Sequence, residues 1–291
     1  MRAATLDDAL RLQNSTGYGL TAGLHSLDPD EIAQWREAVE AGNLYINRHM
    51  TGAIVQRQPF GGWKRSSIGP GAKAGGPNYV AQFGRWADAP HPEGPAHSPR
   101  PDPSAGAPTL IYERLIAAAR HLSADDLEWL RAAAASDQRA WADEFGVEHD
   151  RTGLTCEANV LRYRTLDSLE VRVAAGAMPR ELVRLYLAAA VTGTRLDVTA
   201  SPDAPPMPYE VRVHAAGDYA AGLAHRGAPV RIRTLGTPER QILTAAAEHG
   251  HTVVRGPVLW SGRREMLTVL REQAVSTTVH RYGHISGRPH S

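Results

Sequence analysis

The residues between Thr51 and Gly76, TGAIVQRQPFGGWKRSSIGPGAKAGG, carry the densest glycine pattern in the chain. Glycine recurs this way where backbone must turn through positive φ, or approach a ligand so closely that a side chain would block it. Lys73 in GPGAKAGG invites a phosphate-loop interpretation, but Ala72 and Ala74 stand where that motif needs Gly and Ser or Thr. Of the 13 histidines, His280 and His284 are spaced four apart and His249 and His251 two apart, without acidic or Cys partners at metal spacing. No metal site is therefore expected. The single cysteine, Cys156 in LTCEANVLRYR, has no histidine or glycine-rich oxyanion turn beside it, so a structural role is expected for it. The arginines of VLRYR, VRIRTLG and GRREMLTVLRE are interleaved with acids and are expected on a solvated or subunit-contacting face.

The loop needs elements to hold it. Thr5 is placed to cap a helix over residues 6 to 14, a short strand is expected over 20 to 25, and Asp28-Pro29 opens a helix carrying Ile32, Trp35 and Val39 that Gly42 is expected to stop. The apolar run Asn43 to Asn47 then feeds directly into the glycine-rich segment. Residues 88 to 108 hold seven prolines and almost no large apolar side chain, the composition of a linker. Beyond it, 109 to 145 is expected to be helical, with Ser123 capping and Gly146 ending the run. From Val160 onward, strand-like runs alternate with helical ones near 179 to 191, 238 to 249 and 262 to 273, the pattern of a mostly parallel sheet covered by helices. No G-x-G-x-x-G follows any of these strands, so a bound dinucleotide is not expected there. The terminal run AVSTTVH alternates with a period of two, as a strand with one buried face would, and is expected to be an exposed edge unless it is paired or covered.

Composition narrows the class. With 32 Lys plus Arg against 31 Asp plus Glu, nothing in the charge favours nucleic acid or an anionic membrane. The 291 residues suggest two domains, a lone cysteine suits a reducing cytoplasm, and neither a signal peptide nor a membrane span is visible.

GYGLTAGLHS, AGNLYINR and PFGGWKRSSIGPGAKAGGPNY together resemble the C-terminal end of an aldehyde dehydrogenase catalytic region. TGAIVQRQPFGGWKRS is most similar to the L-glutamate γ-semialdehyde dehydrogenases, in particular those fused to proline dehydrogenase in the proline utilization A family. ANVLRYR, VRIRTLG and the stretch from GPVLW to HRYG resemble the C-terminal accessory region of the long members of that family. The resemblance implies an α/β protein: residues 1–87 as the end of a dehydrogenase domain, 88–108 as linker, and 109–291 as a Rossmann-like, dehydrogenase-like accessory domain. It implies a substrate anchor at Thr51, Gly52 and Ala53, with backbone N–H groups facing the α-carboxylate of an amino-acid aldehyde, and an aromatic channel wall at Phe60. It implies NAD as cofactor, FAD only in an attached proline dehydrogenase domain, and a homo-oligomer in the cytoplasm. The catalytic cysteine, the general base and the cofactor contact of that family lie upstream of Met1, so the chain is expected to depend on a missing N-terminal dehydrogenase segment and to be inactive alone. The rival expectation is a non-catalytic module for oligomer contact and closure of a substrate channel, with the terminal segment helping to enclose it.

Overall fold

The computed structural model describes residues 2–50, 52–88, 107–120, 122–281 and 284–285. Most of the expected linker, 89–106, lies outside the described residues, as does Thr51. In chain order the elements are α1 (Leu6–Asn14), β1 (Tyr18–Gly19), β2 (Thr21–Leu24), α2 (Pro29–Ala38), β3 (Asn43–Ile46), β4 (Trp63–Lys64), α3 (Ala107–Ala118), α4 (Ala124–Ala140), β5 (Glu157–Thr165), β6 (Ser168–Val173), α5 (Pro179–Thr192), β7 (Arg195–Ala200), β8 (Arg212–Val213), α6 (Ala216–Ala224), β9 (Arg231–Leu235), α7 (Arg240–Glu248), β10 (Thr252–Val254), α8 (Gly262–Glu265) and β11 (Leu270–Thr278). The chain is α/β, in two compact units that do not follow sequence order. One gathers Met1–Gly84, Gly146–Arg164 and Arg271–Ser291; the other holds Arg85–Phe145 and Thr165–Leu270. Two stretches that a linear division assigns to the accessory domain thus cluster with the glycine-rich loop.

In the first unit a four-stranded sheet runs β2-β3-β11-β5. β2 and β11 both lie parallel to β3, with Leu44 opposite Ala22 on one side and Val275 on the other. Local chemistry starts both helices. The Thr5 hydroxyl accepts the Asp8 N–H at 3.1 Å, and the Asp28 carboxylate accepts the Asp30 N–H at 2.8 Å ahead of Pro29. Their apolar faces pack Leu10, Trp35 and Val39 against Leu44, Ile46 and Val275.

Three sequence expectations need correction here. α2 ends at Ala38, before Gly42. Gly42 answers a different need, because a Cβ there would sit 2.1 Å from the Gly61 carbonyl oxygen, where β3 presses on the loop. The terminal strand is no edge, since β11 lies between β3 and β5 and is buried on both faces from Glu272 to Ser276. The helix expected over 262–273 stops at Glu265; a single 3-10 turn, Met266–Thr268, leads into the strand.

The second unit is a five-stranded, all-parallel sheet of order β10-β9-β6-β7-β8. Counted from β6 as the first strand, that is the 3-2-1-4-5 order of a doubly wound dinucleotide fold. Fully buried Leu169, Val171 and Val173 make β6 its central strand. Tyr112, Leu130, Val183 and Leu187 join α3, α4 and α5 in one core, while Leu223, Ile232 and Ile242 join α6 and α7 to β9. α6 went unrecognised in the sequence because its run AGDYAAGLA is nearly featureless alanine and glycine. Beyond α4 one π-helical turn, Trp141–Phe145, runs up to Gly146.

Candidate substrate-binding loop

The glycine-rich segment is a pair of braced turns. Ile54 and Gln58 exchange backbone hydrogen bonds of 3.2 and 2.7 Å, and Gln56, at φ 60, donates its N–H to the Gly75 carbonyl at 2.9 Å. Phe60 and Ala74 then pair through two bonds of 2.9 Å. Gly52 and Ala53 stand exposed at the head of this structure, and Phe60 is half-buried on its flank. Gly62 is needed because a Cβ there would lie 2.4 Å from that of Ser66. Of the four expected site residues, the structure thus describes Gly52, Ala53 and Phe60 on one folded loop.

Strands far downstream hold the loop in place. Glu272, buried on β11, accepts the Lys73 N–H at 2.8 Å with one carboxylate oxygen and the Asn78 amide with the other. The Trp63 indole N–H donates to the Glu272 carbonyl at 2.8 Å, under the Arg271 guanidinium at 4.1 Å from the ring centre. From β5, Glu157 pairs with Arg57 at 2.6 Å and with Arg48 at 3.2 Å. Burial would raise the Glu157 carboxyl, but hydrogen bonds from Arg57 and Asn159 and the charge on Arg48 hold it below the usual carboxylate range. Sequence reasoning missed both glutamates. The available signal was a charged residue inside an apolar strand pattern, which is stable only when paired.

Lys73 is fully buried, and its ammonium faces Asn43 Oδ1 at 3.2 Å and the Gly61 carbonyl, not a phosphate site. Burial pushes the amine down to about 7, against the charge of Glu272, which favours the protonated form. Between about 7 and the ordinary 10.5, the unfolded chain keeps a proton that the folded chain releases, so stability is expected to rise with pH across that window. Urea unfolding of the protein and of Lys73→Met at several pH values checks this. The difference in slope between the two should vanish below the window.

The other candidates fall away from this loop. Cys156 is exposed, and its carbonyl accepts the Val279 N–H at 3.1 Å. Among the described residues no group of three or more His, Cys, Asp or Glu could hold a metal ion. His251 is a packed residue, with Nδ1 accepting from the Val230 N–H at 3.1 Å and Nε2 facing the Leu223 carbonyl at 3.0 Å. Two of the arginines expected on a solvated or subunit-contacting face are a further correction. Arg162 and Arg233 are 6% and 1% exposed and are neutralised by Glu37 and Glu148 in one unit and by Glu265 in the other.

The second unit has the strand order of a dinucleotide fold but not its crevice. At the switch point between β6 and β9, Gly236 (φ 78) packs on the turn after β6, where a Cβ would lie 2.5 Å from Ala175 O and 2.6 Å from Ala177 N. Fully buried Arg172 fills the space beside it, with Nε 2.9 Å from Glu239. At the α5 N-terminus, where a pyrophosphate would sit, the Glu181 carboxylate already accepts the Met178 N–H at 2.9 Å. These residues do not fit NAD.

Residues 1–87 match the aldehyde dehydrogenase family. Within the aldehyde dehydrogenase relatives, a 1-pyrroline-5-carboxylate dehydrogenase of Bacillus thuringiensis (strain Al Hakam) is 50% identical over 80 residues, 28% of this chain and 15% of that protein. The bifunctional protein PutA of Rhizobium meliloti is 46% identical over 97 residues, 33% of this chain and 7% of that protein. The structure of proline utilization A from Corynebacterium freiburgense superposes on 98% of this chain, with a TM-score of 0.75 and 47% identity. This chain spans 25% of that one. No helix among the described residues is long and apolar enough to cross a membrane.

Proposed function

We propose that the chain is the distal part of an NAD-dependent L-glutamate γ-semialdehyde dehydrogenase of proline catabolism, and that it supplies substrate recognition, not the nucleophile. The observation that carries this is the braced glycine-rich loop, with an exposed Gly52-Ala53 peptide beside half-buried Phe60, inside the stretch matched to aldehyde dehydrogenases. In this reading the backbone N–H groups of the anchor residues Thr51, Gly52 and Ala53 bind the α-carboxylate, and Phe60 packs the aliphatic middle of the substrate. NAD, when bound, accepts a hydride. Its contacts, the cysteine and the base belong to a preceding dehydrogenase segment, and FAD belongs to an attached proline dehydrogenase domain. In this proposal residues 1–87 end the dehydrogenase domain, 88–108 link, 109–291 form the accessory region, and the whole assembles as a cytoplasmic homo-oligomer. Exposed Val55, Ile68, Val80 and Phe83 support a loop that packs against further protein.

The test uses the full-length protein with Ala53→Val, which crowds the carboxylate, and Phe60→Ala, which removes packing of about 1 to 3 kcal/mol. Each is expected to lower kcat/KM for glutamate semialdehyde by about tenfold or more, and for propanal far less. Equal losses on both substrates would make the loop structural and refute the recognition role.

A further inference from the structure

The exposed Gly52-Ala53 peptide rests on a buried side chain. Gln58 is 2% exposed, and its amide is oriented by its neighbours. Nε2 donates to the Gly52 carbonyl at 3.1 Å, and Oε1 accepts from both terminal nitrogens of Arg48 at 3.1 Å. The reverse orientation would set donors against the guanidinium and an acceptor against a carbonyl. Arg48 is itself fixed, 86% of its side chain being buried (14% exposed) and one nitrogen lying 3.2 Å from Glu157. The Gln58 backbone is fixed as well, by its two bonds to Ile54. A chain of polar contacts therefore runs from Glu157 through Arg48 and Gln58 to one carbonyl of the loop.

That carbonyl matters because of peptide geometry. In a trans peptide the C=O of Gly52 and the N–H of Ala53 point in opposite directions. Gripping the carbonyl on the buried side turns the N–H outward. Glycine does not resist rotation of such a peptide, and no atom lies within 4 Å of a Cβ built on Gly52, so packing does not hold it either. Among the described residues no acceptor takes the Ala53 N–H.

We propose that Gln58 is a positioning residue, which orients the Ala53 N–H as the donor for the carboxylate of an amino-acid aldehyde. This rests on the function proposed above. It adds a specific cause for the donor's direction: a neutral amide, locked by an Arg48–Glu157 pair, that reads the opposite end of the same peptide.

The experiment is steady-state kinetics of the full-length protein carrying Gln58→Met, which keeps length and loses the donor. KM for glutamate semialdehyde is expected to rise about tenfold with kcat held within about twofold, while kcat/KM for propanal falls by less than about twofold. Gln58→Asn, one methylene short of spanning Arg48 and Gly52, is expected to show the same selective rise in KM, and it carries the test should the Met variant be insoluble. Equal losses on both substrates, or a fall in kcat alone, would mean a merely structural Gln58 and overturn the inference. Unchanged kinetics would overturn it too. Unmutated protein that shows no preference for the semialdehyde over propanal refutes the proposed function, and the inference with it. A clear preference in the unmutated protein that survives both substitutions refutes the inference alone.

Discussion

Asp137→Ala is expected to destabilise the second unit by about 3 to 5 kcal/mol. Asp137 and Arg184 are both fully buried, and the guanidinium meets the carboxylate through two parallel bonds of 2.8 and 2.7 Å. Arg184 Nε donates to the Leu259 carbonyl at 2.9 Å, so the same group ties α5 to the segment before α8. α8 already presses on α4 here, since a Cβ on Gly262 would lie 2.6 Å from the Asp137 backbone, so it cannot move closer to fill the space. Removing the carboxylate takes away both bonds to Asp137 and leaves the buried guanidinium its bond to the Leu259 carbonyl. Replacing both partners, as Asp137→Leu with Arg184→Met, is expected to recover most of the loss, since a well-packed apolar pair often matches a buried ion pair. Urea unfolding of the single and double variants measures this. A loss below about 1 kcal/mol for Asp137→Ala would show that Arg184 finds other partners.

The second large effect is an absence of turnover. The 291-residue chain on its own is expected to form no reduced nicotinamide from glutamate semialdehyde at any protein concentration. Thiol-based aldehyde oxidation needs a nucleophile activated by a base within hydrogen-bond reach. Exposed Cys156 has the Arg57–Glu157 ion pair for company, and Glu157 is held by its arginines. Measurable turnover that disappears in Cys156→Ala would overturn this expectation and make Cys156 catalytic.

Local signals in the sequence translated directly into structure. Thr5, Asp28 and Ser123 each cap a helix through a side-chain oxygen, and each lies next to the backbone it caps. The strands of the second unit were legible as short runs rich in β-branched residues, such as LEVRV and RLDVTA, set between helical segments. What stayed illegible depended on distant partners. AVSTTVH carries an edge-like alternation, yet β11 is an inner strand, paired between β3 and β5, and its residues Glu272 to Ser276 are buried on both faces. Gly42 looked like a helix stop, whereas its constraint comes from Gly61, across the loop. The arginines of VLRYR and VRIRTLG looked solvated because no local pattern names Glu37, Glu148 or Glu265 as their partners. In the candidate site the glycines advertised the loop; Gln58 gave no local sign, and Glu157 and Glu272 stood out as charges within strand-like runs without naming the loop residues they hold.

The central claim is that the Gly52-Ala53 turn recognises the amino-acid head of an aldehyde. A crystal structure of the full-length protein with L-glutamate, the product of the proposed reaction, bound would show this. The α-carboxylate is expected at hydrogen-bond distance, about 2.8 to 3.2 Å, from the Ala53 nitrogen, with the side-chain methylenes against Phe60 and the Gly52 carbonyl still held by Gln58. Glutamate bound elsewhere in the dehydrogenase, with the Ala53 N–H facing solvent, would contradict it.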